Sequence, residues 1–186
     1  MKKLLFLTLA VLSIFSCKPK DYLETLTKDT KEIGVIYLGA QLREVECVLT
    51  GYIDEAEKLE VESALQIYQV NAKFDSVPYV VFNGKTTETK DGIWVGSGDI
   101  DLSVIKLNFH QAFKRLHEVN MPIPHSNLVT LRIPLDGSGN MDPLYIFGSM
   151  KTFFVAVNSV TGEVTRFDSL NLGEIAKETV VDKPIE

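Results

Sequence analysis

The chain has 186 residues and a net charge of −6, and 45% of its residues are hydrophobic, as in ordinary globular domains. That length suits one domain, or two small packed units, and can bury a sizeable core. The acidic balance gives no electrostatic attraction to nucleic acid or to anionic lipid headgroups, so we expect no nucleic-acid partner. The two cysteines form no Cys-x-x-Cys or Cys/His pattern that would indicate zinc.

The N-terminus has the pattern of a signal peptide. A positive start, Met1-Lys2-Lys3, precedes the apolar residues 4–15, which are too few to span a bilayer comfortably. The following Ile14-Phe15-Ser16-Cys17 resembles the lipobox of bacterial lipoproteins. That resemblance implies cleavage before Cys17, a diacylglycerol group on its sulfur and acylation, for example by palmitate, of the new amino terminus. A plain secretory signal and an uncleaved anchor helix are the alternatives.

The predicted lipid anchor would hold the chain at a membrane. Residues 1–16 would be the signal peptide, and residues 17–24, which are charged and contain a proline, would be a lipidated tether. The protein would then be a bacterial cell-envelope lipoprotein, held to a membrane by its N-terminal lipid. Its water-soluble body would lie in the periplasm or at the cell surface. Cys47, left without a partner among apolar neighbours, is expected to be a buried free thiol.

Residues 25–102 are expected to combine helices with short strands. Residues 33–53 fit both a helical and an alternating pattern, whereas residues 54–71 predict a helix that begins at the N-cap candidate Asp54. The charged run 54–62 would be its solvated side, with a cation site as the alternative. Two β-rich runs follow, with turn signals at Asn83-Gly84 and Asp91-Gly92. Between turn glycines lies Trp94, our candidate for an exposed binding residue.

Residues 103–186 predict a helix followed by antiparallel strands. Asp101 and Ser103 are capping candidates, and the helical pattern ends before Pro122. Three strand-like runs come next, "NLVTLRIPL", "PLYIFGS" and "TFFVAVNSVTGEVTRF". The expected fold class is therefore α+β, with helices packed on an antiparallel sheet and both halves packed as one globular body.

The C-terminal half resembles the PepSY-like modules of bacterial envelope proteins. The matching segments are "FFVAVNSVTGEV", with Asn158, Thr161, Gly162, Glu163 and Val164 in characteristic places, together with "FHQAFKRLHEVN", "LVTLRI" and "DPLYIF". The resemblance covers residues 103–168. It implies a PepSY-like unit of one helix and a small antiparallel sheet, and a role in binding or regulation rather than in catalysis.

A cation-binding pattern occurs in "DGSGNMD". Asp136, Ser138, Asn140 and Asp142 occupy positions 1, 3, 5 and 7, as in a calcium loop. However, such loops usually have glycine at position 6 and a bidentate carboxylate at position 12, where this chain has Met141 and Phe147. A loop that connects two strands is the simpler interpretation, so calcium is only a weak candidate and no other metal is expected.

The histidines give no strong catalytic signal. His110 and His117, seven residues apart on the predicted helix, would be about 10 Å apart along its axis, too far to share one zinc ion. We therefore expect no cofactor and no enzyme, but a non-catalytic module that binds or regulates an envelope protein or peptide. One alternative is a small envelope hydrolase or ligand-binding enzyme with a cleft between the two halves. It would require His110, His117 or His125 to meet Asp99, Asp101 or Cys47. A purely architectural subunit is a further alternative.

Overall fold

A single antiparallel sheet of nine strands dominates the molecule. The computed structural model describes residues 21–70, 78–92, 94, 97–133, 141–149, 153–168 and 178–180. The helices are α1 (Tyr22–Ile36), α2 (Phe109–Glu118) and a short 3₁₀ helix, Leu102–Val104. The strands are β1 (Gln41–Leu49), β2 (Val61–Gln69), β3 (Tyr79–Phe82), β4 (Thr87–Lys90), β5 (Leu128–Arg132), β6 (Leu144–Gly148), β7 (Phe153–Asn158), β8 (Val164–Asp168) and β9 (Glu178–Val180).

The order of the elements repeats along the chain. A helix followed by an antiparallel meander occurs twice, as α1 with β1–β4 and as α2 with β5–β8. The sheet order is β4-β3-β2-β1-β5-β6-β7-β8-β9, so the first strands of the two meanders pair at its centre. There Val45 lies opposite Leu131 and Cys47 opposite Val129. The two halves therefore share one continuous sheet.

Both α-helices pack on the same face of the sheet. From α1, the hydroxyl of Thr30 lies 3.1 Å from that of Tyr68 on β2. From α2, the rings of Phe109 and Phe113 lie 6.3 and 6.4 Å from that of Phe147 on β6. Phe147 on β6 lies opposite Val129 on β5, which in turn lies opposite Cys47 on β1. The side chains of these three residues therefore lie on the sheet face that the helices cover. One core cluster lies between the helices and the sheet.

The N-termini of the two helices are tied together. Asp21 caps α1 by accepting a hydrogen bond from the Leu23 amide, and Asn108 forms a capping box with Gln111 at the start of α2. The Asn108 side-chain amide also donates to Asp21 Oδ2 at 2.9 Å. The cap of α2 thus satisfies a carboxylate that caps α1, 87 residues away.

The predicted fold class, helices packed on an antiparallel sheet with a PepSY-like unit, is wrong, because the fold is dominated by its sheet. The described residues contain only two α-helices, and the helix expected at residues 54–71 is absent. Val61–Gln69 instead forms β2, between β1 and β3. Apolar side chains lie on both faces of this strand, Tyr68 towards the helices and Ile67 away from them, so its sequence lacks a strict alternation.

Helix α1 begins at Tyr22, inside the segment expected to be a tether, and the ambiguous residues 33–53 contain the end of α1 and all of β1. Thr161 and Gly162 lie in the turn that joins β7 to β8. Its Gly162 has φ 75°, and the Asn158 side chain accepts hydrogen bonds from the amides of Val160 and Thr161.

Candidate functional site

The sheet face opposite α1 and α2, which we call the open face, carries a row of half-buried and exposed apolar side chains. Because side chains alternate along a strand, Leu65, Val48 and Leu128 point away from the helices. Leu65 and Leu128 remain 41% and 44% exposed. None of the three belongs to the core cluster beneath the helices. The described helices therefore leave this apolar surface uncovered.

The open face continues across the second meander. Ile146 lies opposite Thr130, in the same cross-strand row as Glu46 and Leu65. Farther along, the rings of Phe154 and Phe167 stack with their centroids 4.9 Å apart and an interplanar angle of 16°. Ile146, Phe154 and Phe167 are half-buried. The aromatic pair extends the apolar surface to β8.

One end of the open face is covered by Trp94, the predicted binding residue. Its backbone amide donates to Gln69 Oε1 at 2.9 Å, and its indole nitrogen donates to Glu44 Oε2 at 3.3 Å. The Trp94 ring also lies 5.5 Å from that of Tyr79. Trp94 is half-buried rather than fully exposed. It therefore borders the open apolar surface and also shields a carboxylate.

That carboxylate, Glu44, is 5% exposed. Burial raises the pKa of Glu44, although the Arg132 guanidinium, 3.8 Å away, and the Trp94 indole both favour its ionised form. Its neighbour Glu46, two residues along β1, is exposed and has no ion-pair partner among the described residues. The open face thus carries one shielded and one accessible carboxylate.

Several predicted site residues lie outside the described ranges. Cys17, the lipidation candidate, belongs to residues 1–20, and Asp136, Ser138 and Asn140 of the calcium candidate belong to residues 134–140. The fourth member of that candidate, Asp142, is described. Its Oδ2 accepts a hydrogen bond from the Asn158 side-chain amide at 3.0 Å.

The structure does not bring together the groups that the hydrolase alternative requires. In the described part of the chain, no hydrogen bond or ion pair links a histidine to Asp99, Asp101 or Cys47. Asp99 instead pairs with Arg43 at 2.9 Å, and Asp101 caps the 3₁₀ helix through the Ser103 amide. Cys47 is a buried free thiol, and burial raises its pKa to about 12. Such a thiol is a poor nucleophile at neutral pH.

The histidines have other neighbours. The rings of His110 and His117 contact Phe109 and Phe113, with centroids 5.5 and 4.6 Å apart. His125 instead meets Asp54 and Glu55, which belong to the charged run 54–62 for which a cation site is the alternative interpretation; the sequence does not predict that His125 joins them. His125 is 71 residues from Asp54 along the chain, and no short motif links the two.

In the described ranges, no helix is both long enough and apolar enough to cross a membrane. The comparisons with protein-family models, with curated proteins and with solved structures gave no match to this chain.

Proposed function

We propose that this chain is a lipid-anchored protein of the bacterial cell envelope whose body binds another protein or a peptide through the open face, without catalysis. The uncovered apolar row around Leu65, Val48 and Leu128 carries this proposal. Contiguous exposed apolar surface is costly in water, and on folded proteins it commonly marks an interaction site. The lipobox-like Cys17 supports the envelope setting.

The charges of the open face indicate the chemistry of the partner. Arg132 lies near Glu44, and Lys90 pairs with Glu88 at 3.3 Å, whereas Glu46 lies exposed among apolar side chains. A carboxylate covered by an interface loses its hydration, so a partner must supply a compensating charge. We expect the partner to present aliphatic or aromatic side chains that flank one lysine or arginine, which would pair with Glu46.

Site-specific photo-crosslinking in cells that naturally make the protein tests this proposal. The full chain would carry a benzophenone amino acid in place of Leu128, on the open face. A matched chain would carry it in place of Leu38, which is apolar and 86% exposed but lies beyond the end of α1. We expect a discrete adduct with another protein or peptide from position 128 and little or none from position 38.

A charge reversal provides the second arm of the experiment. Glu46→Lys should reduce the adduct from position 128 at least about tenfold, because it places a like charge against the partner's cation. Glu163→Lys, at the exposed turn between β7 and β8, makes the same change in net charge and should not reduce it. Equal adducts from positions 128 and 38, or adducts made only with lipid or with a second copy of this chain, would overturn the proposal.

A further inference from the structure

We infer that Asp54, Glu55 and His125 form a binding site for a divalent transition-metal ion, for which Zn²⁺ is the natural probe. Their ligand atoms all lie within 4.8 Å of one another. The His125 Nδ1 atom is 3.0 and 3.2 Å from the two Asp54 carboxylate oxygens and 3.7 Å from Glu55 Oε1. One imidazole and two carboxylates therefore converge on one point at the surface.

The spacing of these atoms suits a metal ion. Zinc lies about 2.0 to 2.2 Å from nitrogen and oxygen ligands, so two ligands of one ion are about 3.0 to 3.5 Å apart. The separations from His125 Nδ1, 3.0 Å to Asp54 and 3.7 Å to Glu55, are close to that range. Small rotations of exposed side chains would therefore bring all three atoms onto one ion.

The backbone holds the two contributing loops in place. Asp54 and Glu55 follow β1, and His125 precedes β5. The Ile53 amide donates to the Ser126 carbonyl at 2.8 Å, and the Ile53 side chain is fully buried. These contacts fix the separation of the loops without any ion, which lowers the entropy cost of assembling the ligands.

The imidazole itself is also oriented. The Tyr52 ring stacks on the His125 ring with centroids 4.1 Å apart and an interplanar angle of 19°. This stacking restricts the plane of the imidazole, and within that plane Nδ1 lies 3.0 Å from Asp54 Oδ1.

Room for further ligands lies beside the cluster. A groove of about 420 Å³ is lined by residues 54–58 and by His110, Phe113, Lys114 and His117 of α2. Asp54 and Glu55 belong to this lining, so an ion held there can complete its coordination with water or with a small ligand from the groove.

The ligand types define the class of the ion. Imidazole nitrogen suits zinc and its transition-metal neighbours, whereas calcium and magnesium prefer oxygen ligands alone. An ion at this site would also link the loop after β1, in the first half, to the loop before β5, in the second half.

Isothermal titration of the full chain in detergent, produced without a histidine tag, tests the site with Zn²⁺ alone. We expect one saturable site, weakened at least about tenfold in His125→Ala and in Asp54→Asn, and less in Glu55→Gln. His117→Ala is the matched control, because it removes an imidazole that lines the groove but is not one of the three proposed ligands, and it should leave the affinity unchanged. Circular dichroism would verify that each variant remains folded.

A thermal melt gives an independent measurement. Zn²⁺ should raise the melting temperature of the wild-type chain but not that of His125→Ala, because an ion that binds only the folded state stabilises it. Unchanged affinity in His125→Ala, an equal loss in His117→Ala, or binding of Ca²⁺ as tight as that of Zn²⁺ would overturn the inference.

Discussion

The indole nitrogen of Trp94 donates a hydrogen bond to Oε2 of Glu44, 50 residues away in the sequence, at a distance of 3.3 Å. This contact places the single tryptophan of the chain over a buried carboxylate at one end of the open face. The fluorescence of Trp94 should therefore report on that end of the surface. It also links the binding candidate Trp94 to the titratable carboxyl group of Glu44.

Glu44 should make the stability of the fold depend on pH. Because burial raises its pKa, the folded state holds the Glu44 proton at pH values where the unfolded state has released it. Its contribution to the free energy of unfolding therefore falls as the pH rises from the ordinary glutamate pKa through the raised one. Glu44→Gln, which cannot ionise, should be more stabilising, relative to the wild type, at pH 7 than at pH 4. Urea unfolding followed by Trp94 fluorescence measures this difference.

Glu46→Gln is the control for that pH dependence. It removes a carboxylate from the same strand, but the side chain of Glu46 is exposed. Because the charge of Glu46 is a smaller cause of the raised Glu44 pKa than burial is, Glu46→Gln should change the pH dependence of the free energy of unfolding in the same direction but less than Glu44→Gln does. If Glu44→Gln shows no more pH dependence than Glu46→Gln, then Glu44 is not held in an environment that disfavours its charge.

The joined helix caps should be energetically coupled. Asn108→Ala removes both the cap of α2 and the hydrogen bond to Asp21, so it should cost about 1 to 2 kcal/mol of stability. A double-mutant cycle with Asp21→Ala should show a coupling energy above about 0.5 kcal/mol. Additive effects of the two substitutions in denaturant unfolding would contradict a direct contact.

Asp101→Ala provides a comparison for the cap. Asp101 caps only the three-residue 3₁₀ helix and is exposed. Its removal should cost less than that of Asn108, since no second helix depends on it.

The Cys47 thiol should be inert in the folded protein. Burial limits access to its sulfur and raises its pKa to about 12, so little thiolate is present at pH 8. In a Cys17→Ala chain, where Cys47 is the only thiol, labelling by a disulfide reagent should be at least about a hundredfold slower in buffer than in denaturant. Comparable rates in the two conditions would show that the site is open.

Cys17 should carry the lipid anchor. Intact-mass measurement of the membrane-fraction protein should show the loss of residues 1–16 and a gain that corresponds to acyl chains. Both changes should be absent from Cys17→Ala. An unmodified mass for the wild-type chain, whether cleaved or whole, would contradict the predicted lipobox.

The sequence by itself determined the features that depend on neighbouring residues. The predicted turns at Asn83-Gly84 and Asp91-Gly92 coincide with glycines of positive φ, 85° and 109°. Asp101 does cap a helical turn, but only that of the 3₁₀ helix Leu102–Val104, whereas α2 begins later, at Phe109, and is capped by Asn108. The helix and strands predicted after residue 103 appear as α2 and β5–β8, because their apolar periods and their stop signals are local.

The tertiary structure decided what depends on a distant partner. Val61–Gln69 can satisfy a helical pattern, but its pairing with β1 and β3 satisfies its backbone groups and buries Tyr68, so the segment becomes a strand. The contact of Trp94 with Glu44 and that of His125 with Asp54 exist only because the sheet and its loops bring these residues together. No local pattern encodes either contact, since each depends on how the chain returns to the same place in space.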